Sequence, residues 1–347
     1  MLFKFTLSTL ALIVISIGCT EKEATEQVEP VLIKIDTLTQ FMDFDSHGIS
    51  RPGALALMDN GNLLVADGQI KKITIVTPRG DLVAQFGKEG RGPAEFLSPG
   101  HINIFSDLIH VVDISQYKVL EFDYSGNFQD SYAYESKSFD RSIALENDRT
   151  FYTGAAGENN KLIKWMDTRS DSSFLFGQAK VSEVEDMDIE ASRNDIINGR
   201  VPDYFKNNVN VVLGDNHVYA FLDSYSELRK YDKSGNLIWE KKLVLPDNEK
   251  LENDIVEAAK NVPNALPFLG YTLDIRVIGS DIFLLGSKPR EALQHLTKVN
   301  EDGSITAFYQ MPSAESYFIS FTINPANNTI YLSDIMNGVV YKGSLNQ

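Results

Sequence analysis

Short runs of alternating apolar and polar residues recur along the chain in one order: a strand, a turn, a strand often ending in Asp, then a hairpin closed by an Asp/Gly turn. The clearest copy is Ala54-Leu55-Ala56-Leu57, the turn Asp59-Asn60-Gly61-Asn62, Leu63-Leu64-Val65-Ala66-Asp67, Ile73 to Thr77, the turn Arg79-Gly80, and Leu82 to Phe86. A second copy begins at His101, passes through Ile109-His110-Val111-Val112-Asp113, and turns at Tyr124-Ser125-Gly126-Asn127 before Phe128. A more worn third starts at Ile143-Ala144-Leu145, a fourth runs from Val209 to Leu243, and a fifth from Leu273 to Tyr309. The sixth opens at Phe318, holds Ile330-Tyr331-Leu332-Ser333-Asp334, and ends with Val339 to Lys342, one strand short.

A four-stranded sheet apolar on both faces needs a neighbour on each side, so these units are expected to stack around an axis. Gly and Asn at the hairpin tips supply the positive-φ positions that tight turns need. Val31 to Ile35 alternates as a strand does and is expected to supply the missing strand, sealing the ring and protecting its edge. The predicted fold class is therefore all-β: a six-bladed β-propeller over residues 31–347, closed by an N-terminal strand. Helical periodicity is confined to two short inserts on one face, near Ser182 to Phe205 and Asp247 to Asn261, which sets aside a two-domain α/β reading.

The first residues change the picture of where the chain works. Lys4 precedes an almost unbroken apolar run from Leu7 to Ile17, about half of the roughly 20 residues a membrane-spanning helix needs. It reads as the core of a signal peptide over residues 1–18. Ser16-Ile17-Gly18-Cys19 resembles a bacterial lipobox, with Ser16 in place of the commoner Leu. Cys19 is the one cysteine in 347 residues, which suits a thiol consumed by lipid rather than left unpaired in an exported protein. Residues 19–30 are polar and aperiodic, as a flexible tether is. By analogy with known lipoproteins, Thr20 after the cysteine points to the outer membrane, and the acidic tether resembles cell-surface export signals of Bacteroidota lipoproteins.

With 48 acidic against 32 basic residues the chain repels nucleic acid and anionic lipid headgroups, which makes both poor partners, and no nucleic-acid partner is predicted. Phe86-Gly87-Lys88-Glu89-Gly90-Arg91-Gly92-Pro93-Ala94-Glu95-Phe96, then Ser98-Pro99 and Ile109 to Asp113, resembles an NHL repeat. The chain is more similar still to the six-bladed propeller lipoproteins of Bacteroidota, a resemblance that implies the fold more firmly than any activity. The Gly-rich segment lacks the Gly-Lys-Ser/Thr ending of a phosphate loop, and Pro93 and Phe96 suit a structural corner.

Propeller topology places the between-blade connections, including both inserts, on one rim of the axial channel, where binding loops sit on a rigid scaffold. Residues leading into the innermost strands face the channel mouth. Arg51, His101, Arg141, Asn208, Tyr271 and Arg276 are the ligand-binding candidates, one from each of the first four units and the last two from the fifth. Their three guanidiniums would attract a carboxylate, sulfate or phosphate, unless strand alternation turns them into neighbouring blades to meet local acids. Asp67, Asp113 and Asp334 recur at one place in the repeat, as residues that cap a turn by accepting backbone N–H bonds do. The acidic run Glu183, Glu185, Asp186, Asp188 and Glu190 lacks a calcium-loop pattern and reads as a solvated insert face.

His47, His101, His110, His217 and His295 form no paired metal spacing, and no Gly-x-Ser-x-Gly elbow occurs. No metal site and no cofactor is predicted, though a calcium ion in the channel stays open. The leading reading is a non-catalytic binding or scaffold module, lipid-anchored through Cys19 at the outer membrane or cell surface, engaging a glycan, peptide or protein partner. The alternative is a propeller enzyme, a metal-dependent lyase or lactone hydrolase with its site in the channel. Such a site needs Glu, Asp, Asn or His converging at the axis, whereas the candidates here are rich in Arg.

Overall fold

Each repeated unit folds into an antiparallel meander whose first strand lies nearest the axis and whose last lies at the rim. The computed structural model describes residues 29–138, 143–262 and 270–346. Blade one comprises Pro52–Leu57, Leu63–Asp67, Lys72–Val76 and Leu82–Phe86, and blade two Pro99–Phe105, Leu108–Asp113, Lys118–Phe122 and Phe128–Ala133. Blade three, the worn copy, keeps only Ala144–Leu145 as its innermost strand. Blades four, five and six start at Val209–Leu213, Thr272–Ile278 and Phe318–Asn324.

Both faces of every sheet are apolar, so the core forms between sheets rather than within them. Six buried clusters occupy the six blade-to-blade interfaces. The one joining blade six to blade one packs Met42, Tyr331 and Val340 against Leu55, Leu63, Val65 and Val76. A cluster at that sixth interface is what makes the array a ring.

The ring closes with a different segment from the one its alternation favours. Thr39–Met42 pairs antiparallel with Val339–Ser344, setting Thr39 opposite Lys342 and Gln40 opposite Tyr341, and is the fourth strand of blade six. Val31–Lys34 instead runs parallel to Ile305–Gln310 as a fifth, outermost strand of blade five.

The reason lies in the rim contacts. In blades two, four and five the glycine of the outer hairpin turn sits at positive φ against an aromatic ring from the rim strand of the preceding blade: Gly126 on Phe86, Gly235 on Phe176, Gly303 on Trp239. A Cβ at Gly126 would come within 2.4 Å of the Phe86 ring. Gly80 of blade one meets Phe41 in the same way, 3.6 Å from where its Cβ would stand. Phe41 is thus the rim aromatic of blade six, and the 31–34 strand carries none.

The two inserts become helices, Ile189–Ile197 with a short Asp203–Lys206, and Asn248–Asn261. Asp188 caps the first by accepting the Ala191 N–H at 2.9 Å. The inserts pack on one another, and Arg193 Nε donates to the Ala259 carbonyl at 2.6 Å. The Gly-rich segment forms a corner: Lys88–Glu89 pairs with Glu95–Phe96, and Phe96 is fully buried between blades one and two. No helix among the described residues is long and apolar enough to cross a membrane.

Candidate functional site

The innermost strands leave an axial channel whose middle, about 300 Å³, is walled by Ile, Val, Leu and Ala144, with His101, Asn103, Asn210, Asp274 and Arg276 as polar points. Above it, on the face of the between-blade connections, the channel opens into a mouth of about 450 Å³. Arg51, His101 and Arg276 all line this mouth, joined by Lys71, Asp274, Ser98 and Ser320. Three blades that the sequence treats as separate copies therefore deliver their candidates to one cavity.

Each of these residues has a distinct environment. Arg51 is exposed at the end of the connection into blade one, and its guanidinium makes no hydrogen bond or ion pair with a described residue. Lys71 lies in the turn between the second and third strands of blade one, at φ 57°, and its Nζ donates to the Gly68 carbonyl. His101 is half-buried, opposite Val112 in the blade-two ladder.

Arg276 sits two residues after Asp274 on one strand, hence on the same face. Its Nε donates to Asp274 Oδ2 at 3.0 Å, and Nη2 to Ser320 Oγ at 3.1 Å. The same carboxylate oxygen accepts from Ser320 Oγ at 2.7 Å and Phe321 N at 3.2 Å, so the pair is clamped between blades five and six. Nη1 of Arg276 makes no hydrogen bond to a described residue.

The remaining candidates are placed elsewhere. Asn208 lines a separate groove with Tyr117, Lys137, Glu183 and Tyr204, beside the first insert. Tyr271 is buried; its hydroxyl donates to Glu252 on the second insert, and its backbone N–H to Asp223 Oδ1 at 3.0 Å. Burial first, then the Glu252 carboxylate, push its phenol above the ordinary range. It pins the insert to blade five rather than facing the channel. Arg141 and Cys19 lie outside the described residues.

Two of the recurring aspartates tie turns to connections, and the third caps its own turn. Asp67 accepts the backbone N–H groups of Ser50, Arg51, Gln69 and Ile70. Asp113 accepts those of Leu97, Ser98, Ser115 and Gln116, and Asp334 those of Met336 and Asn337. Two further residues do similar work: Asp223, which directly follows the second strand of blade four, where the recurring Asp ends that strand elsewhere, and Gln294, which carries no repeat signal. Asp223 holds the backbone of Tyr271 and Thr272, and in blade five the side chain of Gln294 holds both N–H and carbonyl of Phe318.

A second polar cluster is buried between blades two and three. His110, wholly buried, stacks on Phe105 with centroids 3.9 Å apart, and its Nδ1 lies 3.8 Å from Glu121 Oε1. Arg149 stands over the Tyr132 ring at 4.3 Å and 3.8 Å from the same Glu121 oxygen. Burial pushes the imidazole down to about 4 and the Glu121 carboxyl upward. Among the described residues, no three His, Cys, Asp or Glu side chains gather as a metal site would require.

Comparison with known proteins agrees with this architecture. A family model described as a 6-bladed beta-propeller matches residues 44–211. No curated protein matches the sequence. A solved structure from Bacteroides fragilis, described as an exported protein, superposes with TM-score 0.54 at 12% identity, covering 90% of this chain and 98% of that one. The extracellular domain of a protein described as a hybrid two-component system of B. thetaiotaomicron gives 0.52 at 8% identity, over 90% of this chain and 43% of that one. Virginiamycin B lyase from Staphylococcus aureus gives 0.49 at 11% identity, covering 90% and 89%. At such identities the likeness concerns the fold alone. The family match over the first blades and the six sheets closed into one ring make the chain a six-bladed β-propeller.

Proposed function

We propose that this propeller is a binding module of the cell envelope, held at the outer membrane or cell surface by lipid on Cys19, and that its ligand seats in the channel mouth on the insert-bearing face. One observation carries the reading: a concave cavity lined by Arg51, Lys71, His101 and Arg276 opens where loops converge on a rigid scaffold, in a chain of net charge −16. A glycan, peptide or protein partner presenting a small polar group to that cavity fits it. The exported and extracellular descriptions of the two Bacteroides neighbours agree with an envelope location.

Two experiments test the proposal. Cys19→Ser is expected to move the protein from the membrane fraction to the soluble one; a variant that stays membrane-bound refutes the lipid anchor. Placing a cysteine at Ser98 in the mouth of a Cys19→Ser chain and coupling a bulky thiol reagent to it should abolish capture of envelope glycans and peptides on an array. Capture that survives the plug refutes the mouth as the binding site.

A further inference from the structure

We propose that the group held in the channel mouth is an oxyanion: a carboxylate, sulfate or phosphate borne by a small ligand. This rests on the binding-module reading and names the chemistry of its ligand. The mouth is lined by three permanently cationic side chains, Arg51, Lys71 and Arg276, and by one carboxylate, Asp274. Oδ2 of Asp274 is committed to Arg276, Ser320 and the Phe321 backbone, and Oδ1 makes no hydrogen bond to a described residue. Two positive charges are left without a partner in the lining, inside a protein whose acidic residues outnumber its basic ones by half.

Like charges gathered in a concavity repel one another, and low-dielectric walls strengthen that repulsion as they strengthen attraction for an anion. The buried carboxylates of Asp67, Asp113 and Asp334 temper the field, but their oxygens are taken up by backbone N–H groups and, at Asp334 Oδ2, by the Asn337 side-chain amide. The charged donor capacity left in the lining is the whole Arg51 guanidinium, Nη1 of Arg276 and the N–H bonds of Lys71 not given to the Gly68 carbonyl. Arginine offers a planar fork matched to two oxygens of one oxyanion, and lysine a third point charge. The cavity, about 450 Å³, has the volume of a small-molecule site.

Isothermal titration of the full chain with inorganic sulfate, glucuronate and glucose separates the possibilities. Sulfate or glucuronate should bind saturably and glucose should not, and the two anion arms report which oxyanion is preferred. Arg51→Ala and Lys71→Gln should each weaken anion binding about tenfold or more, and added salt should weaken it further. Lys72→Gln, whose ammonium donates to Gln85 outside the mouth, should change nothing. Failure of both anions to bind at physiological salt overturns the inference. So does glucose binding as tightly as glucuronate, or anion binding unchanged in the two cation variants. If glucose binds and the thiol plug at Ser98→Cys abolishes it, the oxyanion inference falls while the binding-module reading stands.

Discussion

Replacing His110 with phenylalanine should flatten the acid limb of the protein's stability curve. The imidazole is fully buried against Phe105, and neither ring nitrogen finds a hydrogen-bond partner among the described residues. Burial holds its pKa near about 4, against 6.5 when unperturbed. Between those values the unfolded chain binds a proton that the folded chain refuses, so stability falls as pH falls. Each pH unit is worth about 1.4 kcal/mol, so the window amounts to about 3 kcal/mol, present above the unfolded pKa and lost on approach to the folded one.

Glu121 works in the opposite direction, because burial raises its carboxyl and its protonation relieves a cost as the pH drops. It remains in the variant, so its contribution largely cancels in the comparison. Urea unfolding followed by tryptophan fluorescence, from neutral pH to about pH 4 at fixed ionic strength, measures the difference. The variant should lose about 3 kcal/mol less than the parent over that range. Parallel curves would show that the imidazole is protonated in the fold, and the reasoning would fail.

Three further outcomes follow from the rim and the turns. Asp113→Ala strands the N–H groups of Leu97, Ser98, Ser115 and Gln116 and should cost about 3 kcal/mol or more in denaturant unfolding; a loss near zero refutes the tie between turn and connection. Met42→Ala empties a position 1% exposed and should cost about 2–5 kcal/mol, whereas Val31→Ala at 56% exposure should stay within about 0.5 kcal/mol. Equal effects would refute the assignment of these strands. Gly126→Ala forces a Cβ into the Phe86 ring at positive φ and should cost more than about 1 kcal/mol in thermal unfolding; an unchanged melting temperature refutes that contact.

The blades were legible where turn chemistry punctuates them. Asp59-Asn60-Gly61-Asn62 and Lys233-Ser234-Gly235-Asn236 mark hairpins whose strands must then alternate. The closing strand was misassigned because Val31 to Ile35 alternates more cleanly than Thr39–Met42, and alternation reports a strand without naming its partner. The overlooked signal was Gln40-Phe41, which repeats Gln85-Phe86 at the rim of blade one. Topology alone sufficed to bring Arg51, His101 and Arg276 to one mouth. Lys71 lies outside that rule, in the turn between the second and third strands that opens on the same face, and Asp274 follows from the two-residue period that carries Arg276. Tyr271 escaped the rule because its hydroxyl is drawn to a carboxylate on a helix whose docking no local pattern encodes.

Ring closure by Thr39–Met42 is the claim on which the shared mouth depends, since without it blades six and one would not meet around the axis. Cysteines at Thr39 and Lys342, facing residues in the ladder, test it in a Cys19→Ser chain. Facing positions of an antiparallel pair lie within disulfide reach, roughly 4.5–5.5 Å between Cα atoms. Mild oxidation should link this pair within one molecule, seen as a reducible mobility shift, while cysteines at Leu32 and Lys342 stay reduced. A bond between positions 32 and 342, with 39 and 342 free, would contradict the closure described here.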